Sequence, residues 1–215
     1  MSEPTKIGEI TADYRKRAEA MAERARNGEL NTQPVSIYNA HEVQAASGPA
    51  PLPRRFKKAE LSQLSGDVAA MADEWLDGEM SANVLLLGAI GTGKTHTACA
   101  MAAQAWASGL RVLFLPVVEL LDQLRPDGVK DALHKATNVD LLVLDDLGGE
   151  RPTDWTGERL YAVINRRWLE ERPTIVTSNL APDALEKAVG PRVWSRLYHG
   201  ALRLTVGGDD RRRAA

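Results

Sequence analysis

From residue 80 onward, short apolar runs alternate with stretches of helical period. Residues 83–87 (NVLLL), 111–118 (RVLFLPVV), 141–144 (LLVL) and 174–177 (TIVT) are almost unbroken in apolar or β-branched side chains, and 201–206 (ALRLTV) is a candidate fifth run. Runs of this length without polar alternation predict strands buried on both faces, as in a parallel sheet. Between them, 94–108, 118–125, 129–136 and 155–171 read as helices, the last carrying Leu160, Val163, Ile164 and Trp168 on one face. Residues 60–80 read as a further helix with a break near Ser65-Gly66. The alternation predicts an α/β domain: a parallel sheet of about five strands with helices on both faces.

The N-terminal stretch has a different texture. Residues 9–30 (EITADYRKRAEAMAERARNGEL) are helical in composition, with Ile10, Tyr14, Ala18 and Met21 in a weak i, i+4, i+7 rhythm. That is little apolar surface, so the segment reads either as a solvated leader helix or as one that docks on a partner. Residues 47–54 (SGPAPLPR) concentrate proline and small residues, which stops helix and strand alike. The expected organisation is an N-terminal helix and linker over 1–53, followed by one domain over 54–215.

Composition narrows the class. Hydrophobic residues at 44% and charged residues at 26% exclude a wholly disordered or fibrous chain. Lys plus Arg number 27 against 29 for Asp plus Glu, a net charge of -2, which argues against a globally basic nucleic-acid coat protein and leaves a local basic patch open. The single cysteine, Cys99, excludes an intrachain disulfide and any cysteine-built metal cluster, and the four histidines (His41, His96, His134, His199) are too scattered for a metal site. With no signal-type N-terminus and no run approaching 18 apolar residues, a soluble, cytoplasmic protein with no membrane partner is expected.

The chemistry concentrates at Gly88-Ala89-Ile90-Gly91-Thr92-Gly93-Lys94-Thr95, a complete GxxxxGK[ST] phosphate loop, followed by His96. Its glycines let successive backbone N–H groups turn toward phosphate oxygens, and the helix that follows adds its positive N-terminal end. Lys94 is expected on the β- and γ-phosphates and the Thr95 hydroxyl on Mg²⁺. The run 141–144 ends in Asp145-Asp146. Asp145 fits a Mg²⁺ ligand and Asp146 a carboxylate that polarises the attacking water. A nucleotide-hydrolysing P-loop domain that uses Mg²⁺ follows from these two segments together.

Two further features refine the class. Asn179 closes the run Thr177-Ser178-Asn179, where a polar side chain can reach a γ-phosphate or the lytic water. Arg192 and Arg196 are four apart, so a helix over 191–198 puts both on one face. With these in place, residues 54–215 resemble the AAA+ domain of DnaC/DnaI-type replicative helicase loaders, particularly the short phage and prophage versions. The segments that carry the resemblance are GAIGTGKTH (88–96), LLVLDDLGGERPTDW (141–155), ERLYAVINRRW (158–168), PTIVTSNL (173–180), GPRVWSRL (190–197) and GGDDRR (207–212).

The resemblance implies an ATPase whose subunits form a ring or spiral, bind ATP at their interfaces, and place a hexameric replicative helicase on single-stranded DNA. It makes Asn179 the sensor 1 residue and Arg192 or Arg196 a finger supplied in trans. It places Thr153 and Trp155 on the segment that touches single-stranded DNA. The ordinary chemistry of the same two residues is a helix N-cap at Thr153 and sheet packing at Trp155. Against the family pattern, the expectation is no long or zinc-bearing N-terminal domain of the kind some members carry and no C-terminal helical lid. Arg211 therefore has no assigned role, and helicase binding is expected to fall to the 9–30 helix. An IstB-type transposition helper is the nearest rival, disfavoured by Asp145-Asp146-Leu147-Gly148-Gly149 where that group carries an Asp-Glu-Leu-Gly-Tyr type of sequence. A small-molecule P-loop kinase and a nucleotide-binding adaptor without hydrolysis are more distant alternatives.

Overall fold

A computed structural model describes residues 50–78 and 82–207. The proposed 9–30 helix and Arg211 lie outside the described residues. Two 3-10 turns, Arg54–Phe56 and Leu61–Gln63, lead into α1 (Gly66–Asp77). Then follow β1 (Val84–Leu87), α2 (Lys94–Ala107), β2 (Val112–Pro116), α3 (Val117–Gln123), α4 (Ala132–Asn138) and β3 (Leu141–Asp145). The remainder is α5 (Asp154–Leu169), β4 (Thr174–Ser178), α6 (Pro182–Val189), α7 (Pro191–Tyr198) and β5 (Leu202–Thr205). The break expected at Ser65-Gly66 is real: the first half of that stretch is 3-10 and α1 begins at Gly66. The helix expected at 129–136 instead begins at Ala132, after Asp131 adopts a left-handed backbone (φ 65°).

All five strands are parallel, in the order β2-β3-β4-β1-β5. β1 is buried along its whole length, because it lies between two strands and between two layers of helix. Alternate residues serve opposite faces, as the pleat requires. Leu85, Leu87, Leu142 and Leu144 enter a core shared with α3 to α7, whereas Val84, Leu86, Leu141 and Val143 enter one shared with α1 and α2. On α2, Ala98, Cys99, Ala100, Ala102 and Ala105 are all buried, and these small side chains let the helix lie close across the sheet. Parallel strands bring the C-terminal ends of β1, β3 and β4 to one edge, where ligands of such sheets bind.

One face of α5 corrects the sequence expectation. Leu160, Val163 and Ile164 are buried, but Trp168 is 47% exposed and Arg167 is 1% exposed. At about 100° per residue, Arg167 falls at the centre of that face and Trp168 at its margin. The Arg167 guanidinium survives burial because it donates to Thr174 Oγ1 and to the carbonyls of Ala136, Val139, Asp140 and Pro173, over 2.6–3.3 Å. Burial, followed by the Arg172 charge, presses its pKa down to about 9, and the five acceptors keep it protonated at neutral pH. Arg167 thus pins the end of α4 and the starts of β3 and β4, at the sheet edge opposite the phosphate loop.

Candidate nucleotide site

The phosphate loop joins β1 to α2, and its shape follows from its glycines. A Cβ at Gly88 would stand 2.4 Å from the Val206 carbonyl oxygen, so the chain after β5 excludes any side chain there. Gly93 caps α2 in a left-handed conformation (φ 105°), which turns the loop into the helix. Thr92 Oγ1 donates to the Ala89 carbonyl at 3.0 Å. Lys94 Nζ donates to the Gly88 and Ala89 carbonyls at 2.9 and 2.6 Å, which keeps its ammonium against the loop.

A cavity of about 760 Å³ opens beside this loop. Ile90, Gly91, Gly93, Lys94, Thr95, His96, Asp145, Asp146 and Asn179, all singled out in the sequence, line it together. Gly88, Ala89 and Thr92 shape the loop without lining the cavity. Asp145 sits one strand away from β1, since β4 intervenes, yet its Oδ1 accepts from Thr95 Oγ1 at 2.9 Å. A hydroxyl and a carboxylate oxygen meeting at the phosphate loop form a hard-oxygen set suited to Mg²⁺. Among the described residues no group of three or more His, Cys, Asp or Glu is arranged to hold a metal ion, so a cation here would draw its other ligands from phosphate and water.

Thr177 escaped the sequence reading. It is buried, donates to Asp145 Oδ1 at 2.7 Å and accepts from the Asp146 amide at 2.9 Å. Asp146 itself has a left-handed backbone (φ 62°), an uncommon conformation for a residue with a Cβ. Asn179 Nδ2 donates to Asp146 Oδ1 at 2.7 Å, and Leu147 N donates to the Thr177 carbonyl at 2.9 Å. The strained residue is therefore held on both sides by β4. The i, i+2 spacing of Thr177 and Asn179 was the available signal, because alternate residues of a strand share a face.

Arg55, Phe56 and Gln63 also line the cavity, from the segment ahead of α1. The Phe56 ring centroid lies 6.5 Å from that of His96 at an interplanar angle of 59°. These two rings give the cavity an aromatic wall suited to a nucleobase. Nothing in the local sequence marked Phe56, since only folding brings it to α2. Cys99 lies one turn along α2, fully buried. Burial, then the Asp145 charge, pushes its thiol up to about 12, so it stays protonated and takes no nucleophilic role.

The remaining candidates lie elsewhere. Arg192 and Arg196 stand together on α7 as expected and do not line the cavity of their own chain. Thr153 is the N-cap of α5: its Oγ1 accepts from Thr156 N at 3.1 Å while its own amide donates to Thr156 Oγ1 at 2.8 Å. Trp155 is half-buried and packs against the core shared by α3 to α7. The helix-cap and packing roles of these two residues are thus both realised. Among the described residues, no helix is long and apolar enough to cross a membrane.

Comparison with known proteins places these features in context. Residues 67–214 match the family described as IstB-like ATP binding protein. The phage-like element PBSX protein XkdC of Bacillus subtilis (strain 168) is 32% identical over 123 residues, 52% of this chain and 46% of that protein. The replicative helicase loader DnaC of Escherichia coli (strain K12) is 30% identical over 133 residues, 59% of this chain and 54% of that protein. The insertion sequence IS21 putative ATP-binding protein of Pseudomonas aeruginosa is 31% identical over 143 residues, 62% of this chain and 54% of that protein. The chain spans about half the length of these relatives. A crystal structure of the DnaC helicase loader aligns with a TM-score of 0.66 at 25% identity, over 72% of this chain and 100% of that one.

Proposed function

The chain belongs to the IstB-like ATP binding protein family, and from that premise we propose that it hydrolyses ATP and helps load a hexameric replicative helicase onto single-stranded DNA. The observation that carries hydrolysis, as opposed to binding alone, is the continuous chain of hydrogen bonds Thr95–Asp145–Thr177–Asp146–Asn179. A site that only bound nucleotide would need the loop and Lys94. It would not need a strained second aspartate oriented by a neighbouring strand.

In this reading the loop amides and Lys94 hold the phosphates, and the Phe56–His96 wall receives the base. Thr95 and Asp145 hold Mg²⁺, which when bound draws charge off the phosphoryl oxygens. Asp146 accepts a hydrogen bond from the attacking water and so orients it toward the γ-phosphorus, while Asn179 fixes the carboxylate that does this. Arg192 and Arg196 serve the polyphosphate of an adjacent copy in a ring or spiral, where developing charge on the γ-phosphate is stabilised by a guanidinium. Turnover per subunit then rises with protein concentration. Thr153 and Trp155 do structural work, and any contact of theirs with single-stranded DNA is made in addition to it.

The loader assignment is supported by the Escherichia coli loader, by its structural likeness, and by Asp146-Leu147-Gly148-Gly149 in place of the Glu-Leu-Gly-Tyr type of sequence. The IS21 protein matches at nearly the same identity and coverage, which favours a second reading as an ATP-dependent transposition helper. An Asp146→Asn protein, which retains ATP, separates the two when used to capture partners from a lysate of the native host. Capture of a hexameric helicase that is lost with Lys94→Ala supports loading. Capture of a transposase moves the protein to the second reading and leaves the ATPase roles standing.

A further inference from the structure

The paired arginines of α7 rest on a strip of α5 made from Tyr161, Asn165 and Trp168. These three positions follow an i, i+4, i+7 spacing and share one helix face. The Arg192 guanidinium carbon lies 4.0 Å from the Tyr161 ring centroid. That of Arg196 lies 4.9 Å from the same ring and 5.4 Å from the Trp168 ring. Arg196 Nε donates to Asn165 Oδ1 at 2.6 Å, its Nη1 to the Arg192 carbonyl at 2.9 Å and its Nη2 to the Tyr161 hydroxyl at 3.3 Å. No carboxylate takes part, and among the described residues neither arginine forms an ion pair.

The choice of neutral partners is informative. A carboxylate would fix a guanidinium and cancel its charge in the same stroke. A ring face and an amide oxygen fix it through partial charges only, so its full positive charge is left for an external anion. Long, flexible side chains aimed at a ligand across an interface need this ordering, because freedom not removed beforehand must be removed on binding. If the contacts served only to fasten α7 to α5, Val193, Trp194 and Leu197 already do so from the buried side of the same helix.

We infer that Tyr161 and Asn165 are positioning residues that hold Arg192 and Arg196 as an un-neutralised fork for the polyphosphate bound by an adjacent copy of this chain. The inference rests on the trans-acting reading of the two arginines.

The test is subunit mixing with the full chain. Asn165→Leu and Tyr161→Leu lower ATP turnover about tenfold, the scale of a lost cation–π contact or hydrogen bond near a charge. Binding of a fluorescent ATP analogue by the same proteins changes less than about twofold, because their own loops are intact. Addition of excess Lys94→Ala protein, which lacks a working loop but carries an intact strip, restores most of the lost turnover. Where a leucine variant melts without a cooperative transition, the double variant Tyr161→Phe with Asn165→Ala keeps the ring and carries the same test. Unchanged turnover in these variants overturns the inference, as does a loss that mixing fails to rescue while the loss in Arg196→Ala is rescued. If neither Arg192→Ala nor Arg196→Ala loses turnover or responds to mixing, the trans-acting reading itself fails.

Discussion

Thr177 Oγ1 donates to Asp145 Oδ1 at 2.7 Å, and the same oxygen accepts from the Asp146 amide at 2.9 Å. One buried hydroxyl on β4 therefore sets the rotamer of the first aspartate and the backbone of the second. Valine at this position is nearly isosteric but can do neither. It leaves the Asp146 N–H without its partner, at a cost of about 1–3 kcal/mol. Thr177→Val is expected to lower kcat about tenfold and to raise the Mg²⁺ concentration needed for half-maximal turnover, while Thr177→Ser restores both. A Mg²⁺ titration of ATP turnover with all three proteins decides it, and a serine variant as impaired as the valine one refutes the hydrogen-bonding account.

Asn179 acts on the second aspartate alone. Its amide reaches Asp146 Oδ1 at 2.7 Å from an exposed position at the end of β4. Little apolar surface is lost in Asn179→Ala, so folding should be unaffected. A hydrogen bond to a charged group is worth about 1.5–3 kcal/mol, and since the Asp146 carboxylate itself remains, Asn179→Ala is expected to lose about tenfold in kcat with KM nearly unchanged. Steady-state kinetics checks the split. A rise in KM at constant kcat would make Asn179 a binding group instead.

The strands and the phosphate loop were legible in the sequence because their signals are local. β1 and β3 are unbroken apolar runs, and each leads directly into residues of the proposed site. Asn179 was legible for the same reason, as a polar residue ending such a run. Thr177 was not, because a threonine within a β-branched strand looks like sheet packing until β3 is laid beside β4. Arg167 was hidden more deeply. Its helical position marks the centre of the buried face, but an arginine is expected in solvent, and its acceptors are assembled only when α4, β3 and β4 meet. Phe56 reaches the site only through the packing of the segment ahead of α1 against α2. Side chains whose partners are distant in sequence leave no periodic trace.

Arg111 and Asp140 form the clearest titrating pair of the described residues. Arg111 Nη2 donates to Asp140 Oδ1 at 2.6 Å, and its Nε and backbone amide both donate to Oδ2, at 3.0 and 2.9 Å. Burial alone raises the Asp140 pKa, but the Arg111 hydrogen bonds and the Arg111 and Arg172 charges hold it below the usual carboxylate range. The folded value lies below the unfolded one, so the stabilisation is complete above pH about 4 and is lost as pH falls through the folded pKa. Both side chains are partly exposed, at 42% and 34%, and solvent screening limits the effect to about 1 kcal/mol. Urea unfolding of the wild-type and Asp140→Asn proteins between pH 7 and pH 3 should show a gap that closes at the acid end. A gap that stays constant, or widens, on acidification below about pH 4 through the acid transition refutes the linkage.

Trp155 separates a structural role from a nucleic-acid one. It packs half-buried against the core shared by α3 to α7, beside the Thr153 cap that starts α5. Removing part of a buried aromatic surface costs about 2 kcal/mol, below the roughly 3–5 kcal/mol of a fully buried tryptophan because burial is incomplete. For a domain of this size that corresponds to a melting temperature lower by about 4–8 °C. Base stacking on the same ring would contribute about 1–3 kcal/mol to single-strand binding, a loss of at least several-fold in affinity. Packing accounts for the indole without DNA, so Trp155→Ala is expected to melt earlier and to bind a single-stranded oligonucleotide within about twofold of wild type. Trp155→Phe, which refills most of the space, should recover the melting temperature. Fluorescence anisotropy with the ATP-bound protein makes the measurement. A several-fold drop in affinity for Trp155→Ala, reversed by Trp155→Phe, would add a stacked base to the work of this side chain.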